Sequence, residues 1–363
     1  MSISQKNSTS LGFFNAVRGL GILWIIAGHS MAQYAVLGGS ASALPVFTGA
    51  GRVLGSGLLA MFFMISGFYF FRRSPKKCIS IQARLLLKPY YITGLAILIA
   101  KGFLFWLKGM EYGEFAAGLT LTWLLGINVL DGRTLLGIPL KTISIFWFLL
   151  ALFGGWVLFN LIMHQKKRPV RVCSVVLCVV ASWVLTRISK VWVAALPAAL
   201  LAVGYIAVGY LIRKHNLLER KLPVWAWIAI GLPALVSLAF GSVDIASGTW
   251  KLGLLDMAGS FCVSFLMMRL YYVVSSKLSG GFLTKALEQM GLYSIWIICL
   301  HAFEKEIIYW KKLAVFIPDR PVLCMILCFA GRCIVMYLLY VILFGIRKLI
   351  ASRRRPKIQI TEE

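Results

Sequence analysis

The chain is 363 residues long, 60% hydrophobic and only 14% charged, with 38 Lys and Arg against 12 Asp and Glu for a formal charge of +26. A soluble domain is nearer half apolar and a quarter charged, and a chain built from runs of about 20 apolar residues belongs in a bilayer. That excludes a soluble nucleic-acid binder despite the basic excess, and with it disorder, collagen and a disulfide scaffold.

In chain order, apolar segments of spanning length fall at residues 13–36, 47–71, 85–107, 145–163, 171–187, 192–212, 223–241, 252–275, 291–310 and 321–346. The fifth is short. The first resembles a signal peptide in hydropathy, but Arg18 interrupts it and no A-x-A site follows, so it reads as an uncleaved span. Residues 108–144 stay apolar (Leu119, Leu121, Trp123, Leu124, Leu125) but are broken by glycines and Pro139, which suggests an interfacial or re-entrant element. The expected fold is an all-α polytopic membrane protein of about ten transmembrane helices, one domain over 1–350 and a basic cytoplasmic tail over 351–363. The eight cysteines form no CxxC pair, and most lie inside apolar runs as small core residues.

Orientation follows from the basic residues. With the N-terminus in the cytoplasm, every second connection is basic, and 25 of the 38 Lys and Arg fall on the inner side with four acids, for a net +21 there. Ten spans with both ends cytoplasmic satisfy that alternation. The densest inner patch outside the tail is Arg72, Arg73, Lys76, Lys77 and Arg84, which is either plain orientation signal or a cradle for the phosphates of a cytosolic donor.

Ionisable groups inside spans are costly and are candidates for function. Arg18 and His29 are eleven residues apart. At 100° and 1.5 Å per residue they share a helix face, separated by about 16 Å along the axis. His301 and Glu304, at i and i+3 in the ninth segment, also share a face, and His301 lies at a depth where it can approach His29. The alternative for each is a snorkelling arginine or a helix-packing histidine. Asp256 lies in the outer part of the eighth segment with Lys251 one turn away, and Arg332, embedded in the tenth, can neutralise an acid such as Asp256; both are candidates for acceptor-side or structural roles. Trp147 opens the fourth segment as a belt aromatic or a sugar-stacking platform. His164 and His215 read as solvated loop residues.

The stretch Val17-Arg18-Gly-Leu-Gly-Ile-Leu-Trp-Ile-Ile-Ala-Gly-His29-Ser30 resembles the membrane acyltransferase-3 family of bacterial O-acyltransferases, whose signature is an Arg, ten residues, then a His in the first span. Phe62 to Phe68, Arg84 to Tyr90, Trp147-Phe148-Leu149 and Gly291 to His301 are similar to further family stretches in the expected order. Lys88 stands before the proline where the family is often apolar, and no additional hydrolase-like domain is visible. The resemblance implies acyl transfer, usually of acetyl, from cytosolic acyl-CoA to a hydroxyl of an envelope or exported glycan, with no metal. It assigns Arg18 and the inner bases to the donor phosphates and His29 to the reacting end, as general base or acyl carrier. It also gives His301 an orienting role, Glu304 the setting of its tautomer, and Ser66 and Ser294 places along the donor channel.

The implied setting is the plasma membrane and its bilayer, without nucleic acid and with the oligomeric state, homo-oligomer included, left open. The competing readings are a multi-span transporter of an acyl group, amino acid or lipid-linked sugar, and an assembly partner of a glycan synthase. Composition alone ranks the transporter first; the ordered motifs reverse that ranking.

Overall fold

A segment without access to water must close its backbone hydrogen bonds within itself, and a helix does so. The computed structural model describes residues 3–37, 51, 53–127, 133–142, 144–277, 281–310, 312–317 and 320–353, and in it each of the ten apolar segments contains a helix. The expected tail lies outside the described residues from 354 onward. The chain runs α1 (Ile3–Leu37), a π-helical turn (Leu54–Leu58) into α2 (Leu59–Phe68), α3 (Pro75–Leu107), α4 (Gly113–Leu125), the hairpin β1 (Thr134–Leu135) and β2 (Ile138–Pro139), and α5 (Trp147–Ile162). It continues through α6 (Arg168–Ile188), α7 (Leu196–Lys214), α8 (Val224–Phe240), the hairpin β3 (Val243–Asp244) and β4 (Thr249–Trp250), and α9 (Leu254–Lys277). It ends with α10 (Phe282–Leu292), α11 (Ser294–Ile307), α12 (Lys312–Phe316) and α13 (Pro321–Arg353). This is an all-α polytopic membrane protein.

Among the described residues five helices, α3, α6, α7, α9 and α13, are long and apolar enough to cross a membrane by themselves; α2, α5 and α8 are shorter apolar helices. The ninth segment begins at a bend: α10 ends at Leu292 and meets α11 at 78°. The fifth segment is longer than its sequence suggests, since Pro169 takes an early position of α6, where its missing N–H costs nothing, and the helix reaches 21 residues. The third also starts earlier, at Pro75, so Lys76, Lys77 and Arg84 ride on the span itself. A π-helical turn at Ala83–Leu87 precedes Pro89. Proline cannot donate to the carbonyl four residues back, and a widened turn absorbs that mismatch. Residues 108–144 form α4 and the first hairpin among the described residues.

The core centres on α2, α5 and α7, where Met61, Phe63, Met64, Leu149, Ala202, Tyr205 and Ile206 are buried. Lipid offers no hydrophobic drive between helices, so close packing of small residues must hold them. Gly67 of α2 lies against the Ile206 carbonyl, and Gly209 of α7 against the Met64 carbonyl. Outward faces are apolar, as with Ile99, Phe103 and Trp106 on α3.

The connections sort onto two ends. At one, Arg213 donates to the Phe70 carbonyl at 2.6 Å, Asn160 pairs with the Arg73 backbone, and Arg269 donates to the Leu217 and Arg220 carbonyls, both at 2.8 Å. At the other, Lys190 reaches the Gly248 carbonyl at 3.3 Å, and the Ala195 N–H donates to the Gly126 carbonyl at 2.9 Å. The basic stretches around Arg73 and around Arg213 to Arg220 therefore share one end of the bundle. Gly209→Ala would drive a Cβ into the Met64 carbonyl; it is expected to destabilise the bundle by about 1–3 kcal/mol. Thermal melts of the detergent-purified protein check this, the expected outcome being a lower transition.

Candidate active site

Two glycine contacts set the position of α1. A Cβ at Gly19 would meet the Leu287 carbonyl, and one at Gly291 would meet the Asn15 carbonyl, so α1 and α10 lie backbone against backbone. On the other side Gly21 leaves room for the Phe62 ring of α2, whose atoms lie 2.8 Å from where a Cβ would stand. This contact holds Arg18 beside the end of α2, with its guanidinium 5.3 Å from the centre of the Tyr69 ring. Phe14, one turn earlier, packs on Phe68 and Tyr69.

Eleven residues along α1, the His29 ring lies 5.2 Å from the His301 ring of α11, centre to centre, inclined at 46°. His301 is 1% and Glu304 0% exposed. The His301 Nδ1 lies 3.0 Å from Glu304 Oε2. Arg332 of α13, also fully buried, places Nη1 3.2 Å from Glu304 Oε1. The Trp310 indole N–H donates to the same carboxylate. An ionised Glu304 can only accept, which puts a hydrogen on the His301 Nδ1, and in the neutral form of that ring Nε2 is the lone-pair acceptor. That Nε2 is buried and has no hydrogen-bond partner among the described residues. The arrangement is a two-histidine site with one ring oriented by a buried acid, able to take and return a proton.

The basic end is built differently. Asn160, buried near the end of α5, accepts the Arg73 N–H at 3.0 Å and donates to the Arg73 carbonyl at 2.9 Å. Together with Arg213 on the Phe70 carbonyl, it clamps the turn between α2 and α3. Arg72, Lys76, Lys77 and Arg84 are exposed from this clamped turn and the helix after it, and Arg73 is half-buried. Ser66 donates to the Phe62 carbonyl of its own helix at 3.0 Å, and Ser294 is buried as the first residue of α11.

Three sequence candidates lie in surroundings that their sequence context did not reveal. The expected neutralisation of Asp256 by Arg332 or Lys251 does not occur. Asp256, in the first turn of α9, accepts from the Ser237 hydroxyl at 2.9 Å and from the Leu252 and Ser242 backbone N–H groups at 2.8 and 3.3 Å. Backbone donors near a helix start satisfy an anion without a cation. The partner of Arg332 is Glu304, because the chain brings α13 against α11. Trp147 is 3% exposed and packs on Phe148, so no open face is available for stacking. Trp310, Tyr69 and Asn160 were absent from the sequence candidates. Asn160 carries a signal that sequence can give, a lone amide in an otherwise apolar span; Trp310 and Tyr69 look like interfacial aromatics. Among the described residues no group of three or more His, Cys, Asp or Glu side chains is placed to hold a metal.

A family model described as an acyltransferase domain matches residues 11–348. No curated protein and no solved structure matches the chain significantly. Asp256→Ala would leave three donors, two of them backbone N–H groups, without their acceptor. Its expected effect is a loss of about 2–3 kcal/mol of stability, read by thermal denaturation.

Proposed function

The chain belongs to the acyltransferase-3 family of membrane acyltransferases, and on that premise we propose that it transfers an acyl group, acetyl in the first instance, from cytosolic acyl-CoA to a hydroxyl of an envelope or exported glycan. The observation that carries this reading is the His29–His301 pair, 5.2 Å apart and backed by Glu304, with His29 on the same helix as Arg18. Arg18 and His29 are about 16 Å apart along α1, a span that suits an acyl-CoA whose phosphates and thioester are separated by the pantetheine arm.

In this reading the basic end faces the cytoplasm, as do both termini, and the bilayer is the plasma membrane. The single domain over 1–350 serves the acceptor directly. Arg72, Arg73, Lys76, Lys77 and Arg84 attract the donor phosphates, with the clamped turn after α2 holding the first of them in place. Arg18 takes a phosphate or the arm next to it from its seat over Tyr69. Ser66 and Ser294 flank the donor path.

At the reacting end the acceptor hydroxyl gives its proton to His29 while its oxygen bonds to the thioester carbonyl carbon. The tetrahedral intermediate then collapses, the C–S bond breaks, and the departing CoA thiolate takes the proton back from His29. The acceptor leaves as an ester and the donor as free thiol, with no net proton released. His301, oriented by Glu304, stands next to His29 to position the hydroxyl.

His29→Ala at unchanged membrane abundance is expected to abolish acylation of envelope glycans, seen by mass spectrometry as the loss of one acyl mass increment. Retained acylation would overturn the role given to His29. Arg18→Ala is expected to act on the donor side, raising the KM for acyl-CoA by about tenfold, the effect of losing one charge-assisted contact. The readout is acyl transfer by protein in nanodiscs.

A further inference from the structure

The Glu304 carboxylate has more donors than a helix-packing acid requires. Beyond His301 it accepts from Arg332 and from Trp310. The Arg332 guanidinium also lies over the Trp310 ring, 5.4 Å from its centre, and its Nε reaches Cys328 Sγ at 3.4 Å. The indole fits against α13 at Gly331, where a Cβ would stand 2.8 Å from the ring. So the two donors brace each other as well as the acid. Neither has been given a part in the transfer chemistry above.

Resting on the two-histidine site described under the proposed function, we propose that Arg332 and Trp310 are positioning residues for His301, acting through Glu304. Their combined task is to keep Glu304 ionised and fixed in rotation, so that His301, whose ring lies next to that of His29, stays in the Nδ1–H form with its Nε2 bare. An isolated carboxylate in an apolar interior takes up a proton, whereas one beside a guanidinium keeps its charge. A protonated or rotated Glu304 would cease to demand a hydrogen on Nδ1, and His301 could place that hydrogen on Nε2, blocking it as an acceptor. Arg332 cannot be replaced by Trp310 in this task, since only the guanidinium brings charge. Trp310 cannot be replaced by Arg332, since the indole occupies the space between the end of α11 and Gly331.

The test is imidazole 15N NMR on the full chain in lipid nanodiscs, labelled at its four histidines, with His301→Gln assigning the His301 signals. The native protein is expected to show His301 as a single Nδ1–H tautomer. Arg332→Met and Trp310→Phe are each expected to give a mixture of tautomers and to lower kcat by about ten- to a hundredfold, with both KM values little changed. Arg332→Lys, which keeps the charge, is expected to retain the Nδ1–H form and part of kcat. Gly331→Ala displaces the indole without removing a polar atom and serves if Trp310→Phe does not fold, and Arg332→Gln serves if Arg332→Met does not fold. The proposal is overturned if the variants leave the His301 tautomer as it was, or if their effect is confined to a raised KM, which would place Arg332 against substrate. The spectra decide this even if the native protein transfers no acyl group, so failure of the acyl-transfer reading remains a separate result.

Discussion

A carboxylate buried at 0% exposure inside a helical bundle must find donors or lose its charge, and in this protein that constraint organises the site. Glu304 meets it with a guanidinium from α13, an indole from the turn after α11 and an imidazole from its own helix. Removing one partner from such a cluster strands a charge in a medium that cannot solvate it, which typically costs about 3–5 kcal/mol. The same cluster therefore fixes the register of α11 against α13 and holds His301 against α1. Stability and geometry at the histidine pair share one set of contacts.

The other structural commitment is the close seating of α1. Gly19, Gly21 and Gly291 let its backbone approach α10 and the Phe62 ring more closely than any residue with a Cβ could. Helices in a bilayer gain from close packing, because lipid is as apolar as they are. Here that gain also serves as a ruler. Arg18 and His29 ride one rigid helix, so their separation does not depend on loops. The clamp on Phe70 and Arg73 does for the basic turn what the glycines do for α1. In the proposed reaction, donor phosphates and thioester are received by two places whose distance the fold does not let vary.

Much of this was legible in the residue order, and the reasons differ by element. The ten apolar segments could be read because a bilayer imposes length and polarity on each segment separately. The family could be read from short stretches in order, and the match over residues 11–348 bears it out. Other features were hidden. The early start of α3 depends on how a π-helical turn accommodates Pro89. The 78° bend between α10 and α11 lies at Tyr293, beside the start of the ninth segment, and composition marks a span there without giving its angle. The burial of Trp147 reflects what α5 packs against, and an aromatic at the end of a span gives no warning of it.

Relations within one helix were determined by the sequence itself: Arg18 with His29 and His301 with Glu304, because a period of about 3.6 residues places side chains on faces without reference to anything else. Relations between helices were decided only by the tertiary structure. Arg332 was as compatible with Asp256 as with Glu304 until α13 came to rest against α11, while backbone N–H groups near the start of α9 satisfied Asp256 without any cation. A buried charge requires a partner, but which partner it receives depends on crossing positions that no local pattern encodes.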